Sequence, residues 1–333
     1  MTEHDDVRDL LAAWAFGALD PADAERVPPH LAGCESCAAE AERLRETVRL
    51  LDGPPIGGLP ARPAAGLPPA LLSRRPAAPR TAAHAAPYAA AVRGLRALLP
   101  EAEGRWATPV VHDWDVHATV AHLLAADEAL AGRLGIAARV PASVLPQDTR
   151  WEDAWNRRTA DVIAHEHGRT PEETVADWAA QADALLATPE ARDGELAARA
   201  EMLMGIRLPI ADHFVVRAFE TWIHTDDIGR ALGLVVPPPP EEHLERLVRL
   251  AVRVLGLALG PDAAPVLFSV SGGEQWVLGS ADEPVQAELA LDPVDFCLLV
   301  GGRCTPEEVP RGATGDAAAV RNVLETAASL AWL

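Results

Sequence analysis

The sequence contains no lysine. All 29 of its basic residues are arginines, set against 49 acids, for a formal net charge of −20. A chain this acidic is a poor direct ligand for nucleic acid, because phosphate repulsion opposes every approach. Cysteine is scarce as well: four in 333 residues, which excludes a disulfide framework. No apolar run approaches the ~20 residues that a membrane-spanning helix needs. The opening stretch MTEHDDVRDLL is acidic where a secretory leader would be basic. The expectation is a cytoplasmic protein with no membrane anchor. A hydrophobic content of 49% excludes wholesale disorder, and the length allows two or three domains.

What charge there is falls unevenly. Residues 1–52 carry 5 Arg and 12 acids, net −7; residues 53–100 carry 6 Arg and no acid, net +6; the remainder carries 18 Arg and 37 acids, net −19. An acidic head and an acidic body are thus joined by a basic neck. Residues 53–82 (GPPIGGLPARPAAGLPPALLSRRPAAPRTA) read as a Pro/Arg-rich linker, with a short apolar core at Ala70–Leu72. An acidic head suits a basic partner surface, although a solvated face has the same composition.

Within the head, residues 5–18 have helical apolar spacing. Asp20-Pro21 restarts the chain as N-cap and first helical residue, Pro28-Pro29 is expected to end the second helix, and a third is expected over Ala38–Leu51. Between the last two lies His30-Leu-Ala-Gly-Cys34-Glu-Ser-Cys37. Two thiolates and an imidazole at H-x3-C-x2-C spacing converge on one tetrahedral zinc ion at a turn-to-helix junction. A structural zinc takes four ligands, and His4, ahead of the first helix, is the natural fourth. The alternative is a Cys-x-x-Cys redox pair without metal. Residues 4–52 resemble the zinc-binding anti-sigma domain of bacteria, in which an upstream His or Cys stands about 26 positions before H-x3-C-x2-C; His4 to His30 is such a step. The resemblance implies a small helical domain that clamps a sigma factor.

The body is dominated by long helical segments at Tyr88–Leu99, Val116 to about Leu134, Glu152–His165, Glu172–Leu186 and Ile210–Leu232. Asp115 is placed to cap the second, and Gly233 to stop the last. With short breaks and no strand-like alternation, this pattern predicts an antiparallel helix bundle. The last helix carries a polar stripe: His213, Arg217, Glu220, His224 and Asp227 at steps of 4, 3, 4 and 3. Glu220 and His224, one turn apart, are able to grip one metal ion. A stripe of that kind is more often the wet face of an amphipathic helix, and His122, among Val120, Leu123 and Leu124, is more often a core histidine.

Two segments change that balance. Asp113-Trp-Asp-Val-His-Ala-Thr-Val-Ala-His122-Leu and Phe219-Glu220-Thr-Trp-Ile-His224-Thr-Asp-Asp-Ile resemble the mycothiol-dependent maleylpyruvate isomerase family, built on a DinB-like four-helix bundle. The resemblance implies His122, Glu220 and His224 as zinc ligands with one position left open. It also implies mycothiol as the thiol that binds there and adds to the substrate double bond. Beyond Pro237–Pro240 come a helix at Glu241–Leu259, strands at Val266–Ser271 and Gln275–Gly279 around Gly272-Gly273, a strand at Val285–Leu291, and helices at Pro293–Val300 and Asp316–Leu330. This region resembles the family's sterol-carrier-like C-terminal domain. Arg303 matches an arginine that the family often carries there, which implies a catalytic role on substrate or thiol carboxylates. Cys297 and Cys304 read as a core thiol and a loop thiol rather than a redox pair.

The expected chain is therefore mainly α: a zinc-binding head (1–52), a linker (53–82), a metal-binding bundle (83–236) and a small α+β domain (237–333). Two functions fit. One is a zinc-dependent regulator, with a sigma-binding head coupled to a body that senses a thiol or metabolite. The other is a working mycothiol-dependent isomerase or S-transferase with an accessory head.

Overall fold

A computed structural model describes residues 3–15, 18–19, 21–52, 81–270 and 273–330. They divide into two units, Met1–Ala77 and Ala78–Leu333. The expected cap at Asp20, nearly all of the linker and Gly272 of the expected turn lie outside the described residues.

The first unit consists of helices α1 (Glu3–Ala15), α2 (Pro21–Gly33) and α3 (Glu35–Asp52). They close on Val7, Leu11, Val27, Cys37 and Ala41, with Leu10, Trp14 and Leu44 at the margin. The Arg45 guanidinium lies 4.0 Å above the centre of the Trp14 ring and shields its face. Contrary to expectation, α2 does not stop at Pro28-Pro29 but runs through both to Gly33. Each proline deprives the carbonyl four residues back of its partner. Those carbonyls belong to Ala24 and Glu25, neither of which is buried, and both prolines are exposed, so water replaces the lost bonds. Helix α3 starts at Glu35, ahead of the expected Ala38, because the Ala38 N–H already bonds to the Cys34 carbonyl at 3.0 Å. Cys34 thus sits at the helix entry and Cys37 in the first turn.

In the second unit the long helices are α4 (Ala86–Leu98), α5 (Val116–Arg133), α6 (Trp151–Glu166), α7 (Pro171–Ala187) and, after the short α8 (Gly194–Ala197), α9 (Ile210–Leu232). Their ends are written in side chains. The Asp115 carboxylate accepts the Ala118 N–H at 2.7 Å and starts α5 as expected. Thr170 and Glu173 form a reciprocal capping box that starts α7. Gly233, at φ 72°, takes the left-handed conformation that ends α9. Helices α4, α5, α7 and α9 make a four-helix bundle with α6 laid against α5. Trp178, Phe214, Leu95, Leu124 and Leu185 fill its interior.

Two small antiparallel hairpins interrupt the bundle where none is expected: β1 (Pro109–Val111) with β2 (Trp114–Asp115), and β3 (Ala200–Leu203) with β4 (Ile206–Pro209). Strands of two to four residues are too short to show alternation. After α9 the chain forms α10 (Glu241–Leu259), then β5 (Val266–Val270), β6 (Gln275–Leu278), β7 (Ala287–Leu291), α11 (Pro293–Val300), β8 (Arg311–Gly315) and α12 (Ala317–Ser329). The sheet order is β6-β5-β7-β8, with β5 and β7 parallel at the centre and antiparallel strands outside. Strand β8 was not legible in the sequence: all of its residues are exposed, so no buried face leaves a mark. It lies so close to β7 that a Cβ on Gly315, itself at φ 85°, would meet the Gln286 carbonyl oxygen at 2.4 Å. The fold is mainly α with a small α/β region, as expected. Among the described residues, no helix is long and apolar enough to cross a membrane.

One polar contact inside the bundle has a pH consequence. The Tyr88 hydroxyl donates to Asp127 at 2.6 Å, and both residues are buried. Burial pushes the Asp127 carboxyl up to about 7, against the opposing pull of the Arg217 charge and the Tyr88 hydrogen bond. Asp127 therefore keeps its proton in the folded state at pH values where the unfolded chain, with a carboxyl near ~3.9, has lost it. The resulting stability is fully present below about pH 4 and is lost as the pH rises through about 7. Asp127→Asn, which keeps an acceptor for Tyr88, should remove that slope. At pH 8 it should be the more stable form, by up to about 4 kcal/mol. Urea unfolding at pH 5 and pH 8 measures this; parallel pH dependence in the two proteins would refute it.

Candidate metal centres

In the first unit, His4 opens α1, His30 lies near the end of α2, and Cys34 and Cys37 flank the start of α3. The helical hairpin brings all four to one point, with their donor atoms within 4.8 Å of one another. His4 Nδ1 stands 3.6 Å from Cys34 Sγ and 3.7 Å from Cys37 Sγ. With Zn–S near 2.3 Å and Zn–N near 2.05 Å, the S···N edge of a tetrahedron around zinc is about 3.6 Å. The buried His30 Nε2 has no hydrogen-bond partner among the described residues. The Ser36 hydroxyl, 3.2 Å from Cys34 Sγ, and then the Cys37 backbone N–H lower the Cys34 thiol to about 6. A thiolate is the form that binds metal. These four residues fit a tetrahedral zinc ion.

In the second unit, His122 projects from α5 toward Glu220 and His224 on α9. His122 Nε2 lies 2.8 Å from Glu220 Oε1, and donor atoms of the three lie within 4.8 Å of one another. They are 3%, 1% and 0% exposed, so the stripe on α9 is not a wet face. Its upstream members have other tasks. His213 Nε2 pairs with the Glu201 carbonyl at 3.1 Å. Arg217 lies 2.6 Å from Glu220 Oε2 and donates to the Ala126 carbonyl at 2.8 Å. Downstream, Asp227 Oδ2 stands 3.1 Å from His224 Nδ1. The Arg303 guanidinium, a donor, stands 3.4 Å from the same nitrogen, but the shorter contact is to the carboxylate, which only accepts; on that contact Nδ1 carries the proton and the Nε2 lone pair faces away from Asp227. That Nε2 is buried with no hydrogen-bond partner among the described residues, and so is His122 Nδ1.

Protonation agrees with geometry. Burial works to raise the Glu220 carboxyl, but the Arg217 charge and the His122 hydrogen bond outweigh it and hold it at about 2. Burial lowers His224 to about 4, against the Asp227 hydrogen bond. An ionised carboxylate beside a neutral imidazole is what divalent-metal ligation requires. The donor set fits zinc, and no fourth His, Cys, Asp or Glu joins the group among the described residues.

Three residues near this group have contacts that were not expected. Trp114, on β2, stacks on His122 with ring centroids 4.4 Å apart, and Trp155, on α6, meets it edge-on at 5.7 Å. The third is Asp227, because Arg303 arrives from the turn after α11 to pair with it. The guanidinium reaches Asp227 Oδ2 at 2.5 Å through one terminal nitrogen and both carboxylate oxygens at 3.2 Å through Nε. Its other terminal nitrogen donates to the Gly301 carbonyl. Arg303, expected to meet a substrate or thiol carboxylate, is thus held by a carboxylate of the protein itself. No local pattern announces a pair 76 residues apart. Of the remaining cysteines, Cys297 is fully buried, which raises its thiol, and Cys304 is half-buried; neither is in a disulfide.

Residues 85–229 match the family described as mycothiol maleylpyruvate isomerase N-terminal domain, and residues 5–38 match the one described as putative zinc-finger. His122, Glu220 and His224 fall inside the first match. His30, Cys34 and Cys37 fall inside the second, and His4 stands one residue ahead of it. Two uncharacterized proteins, from two strains of Mycobacterium tuberculosis, are each 27% identical to this chain over 228 residues, covering 64% of it and 81% of their own length. A crystal structure of the mycothiol-dependent maleylpyruvate isomerase superposes with TM-score 0.47 at 14% identity, over 70% of this chain and 93% of that one. A histidine-to-alanine mutant of the same enzyme gives 0.46 at 15%.

Proposed function

We propose that this chain, which joins a zinc-finger segment to a mycothiol maleylpyruvate isomerase N-terminal domain, is a zinc-dependent transcriptional regulator whose head binds a sigma factor and whose body takes up a small thiol. The observation that carries the reading is the pairing of two unlike metal-ligand sets in one chain. His4, His30, Cys34 and Cys37 are a closed set of four, the ligand count of a structural zinc. His122, Glu220 and His224 are a set of three, which leaves a position for an exchangeable ligand. The head carries net charge −7, suited to a basic protein surface and unsuited to phosphate.

In the body, zinc held by the three residues would lower the pKa of a thiol bound at the remaining position, and mycothiol is the thiol that the family match points to. The chain's own residues prepare that site. Arg217 keeps Glu220 ionised, Asp227 keeps the His224 proton on Nδ1, and Trp114 and Trp155 fix the plane of His122 and keep water away from it. The ready protonation state of this triad favours a second reading, an active mycothiol-dependent isomerase or S-transferase with the head as accessory. Capture from native cells, together with zinc analysis, tests the first reading. Full-length protein should hold two zinc ions per chain and retain a sigma factor. One zinc per chain, or no sigma factor retained, defeats it. Turnover of maleylpyruvate that requires mycothiol and disappears in His224→Ala would establish the second.

A further inference from the structure

The metal-facing nitrogen of His224 is chosen from outside the bundle. Asp227 lies one turn beyond His224 on α9, and its carboxylate is the only acceptor that the described contacts give to His224 Nδ1, at 3.1 Å; the Arg303 guanidinium, a donor, stands farther from that nitrogen, at 3.4 Å. Asp227 is in turn fixed by Arg303, and the two side chains are only 7% and 9% exposed. Arg303 belongs to the Gly-Gly turn that ends α11, where its backbone N–H bonds to the Leu298 carbonyl at 2.8 Å and its guanidinium to Gly301. The turn itself is pressed against α9: a Cβ on Gly301 would stand 3.2 Å from Ile223 Cδ1. A chain of contacts therefore runs from α11 through Arg303 and Asp227 to the ring of His224, and ends on the buried Nε2 that has no hydrogen-bond partner among the described residues.

An imidazole has two tautomers, and only one leaves Nε2 able to bind a cation. A carboxylate on Nδ1 selects that tautomer, holds the ring plane and raises the basicity of the ligating nitrogen. A lone buried carboxylate beside a neutral histidine would itself be costly, so a second charge is needed to keep it ionised and in place. We propose that Asp227 and Arg303 are positioning residues for the metal site, and that through them the C-terminal α/β region sets how tightly His122, Glu220 and His224 hold a divalent cation. In this assignment Arg303 acts through Asp227 and His224 and does not bind substrate. The proposal rests on the reading of that triad as a metal site.

The test uses the full-length chain carrying Cys34→Ala and Cys37→Ala, so that zinc reports on the buried triad alone, with affinity measured by chelator competition. Asp227→Ala should weaken zinc binding by about 10- to 100-fold. Arg303→Ala should weaken it by about tenfold, and Arg303→Lys should recover part of the loss. If Asp227→Ala does not fold, the isosteric Asp227→Asn replaces it, with a loss of about tenfold expected. Nitrogen chemical shifts of the His224 ring should move toward the other tautomer in Asp227→Ala, a change that altered packing alone would not produce. Parent-like zinc affinity in Arg303→Ala, or in either Asp227 variant, overturns the proposal. A parent protein that binds no zinc overturns the metal reading itself, and this inference with it.

Discussion

Glu220→Ala should lower the unfolding temperature of the larger unit by on the order of 10 °C, even in chelator with no metal present. Glu220 is 1% exposed and pairs with two partners, Arg217 at 2.6 Å and His122 at 2.8 Å. Its removal strands the Arg217 guanidinium, whose side chain is only 4% exposed, with the Ala126 carbonyl and the Met204 sulfur as its contacts. An uncompensated buried charge of this kind costs about 3–5 kcal/mol. In a unit of this size each kcal/mol is about 2–4 °C. Glu220→Gln keeps the volume and one acceptor and should lose less. His224→Ala is the contrasting variant, because Asp227 keeps Arg303 and no charge is stranded. That variant should unfold close to the parent in chelator, yet gain nothing from added zinc, where the parent gains stability in proportion to metal affinity. Unfolding temperatures of the parent and the three variants, with and without zinc, separate ion pairing from metal ligation. An unfolding temperature for Glu220→Ala within about 2 °C of the parent in chelator would mean that the buried pair contributes little.

The second large effect belongs to the head. Cys34→Ala combined with Cys37→Ala should unfold α1 to α3 while leaving the larger unit as it was. The five side chains buried among the described residues of this unit are too few to hold roughly 50 residues together on their own. A structural zinc site supplies about 10–16 kcal/mol, which is folding free energy when the unfolded chain has no preformed site. Hydrogen exchange read by mass spectrometry should show the three helices going from protected to unprotected, and zinc content should fall by one ion per chain. Capture of a sigma factor should disappear with the helices. Persistent protection of α1 to α3 in the double variant would show that the helices carry themselves and that zinc is not structural there.

Much of the candidate chemistry was legible because it is local. H-x3-C-x2-C places an imidazole and two thiols around one helix entry whatever surrounds them, and Glu220 and His224 share a face because a helix repeats every 3.6 residues. Asp115 and Gly233 acted as helix boundaries for the same reason: a cap satisfies backbone groups within its own turn. The misjudged points depend on surroundings. Pro28-Pro29 reads as a stop, but both prolines face water, where the carbonyls they leave unpaired are hydrated.

By itself, then, the sequence determined which residues have the chemistry to bind metal and which helices carry them, since both follow from short-range spacing and backbone hydrogen bonding. Only the tertiary structure decided that the stripe on α9 is buried rather than wet, that His122 closes on Glu220 from 98 residues away, and that Arg303 takes Asp227 as its partner. The reason is physical. Apolar periodicity says that a helix has a face to bury, but when bundle neighbours enclose a helix on nearly every side its polar face is buried too. The polar groups on it must then find partners that no sequence spacing encodes.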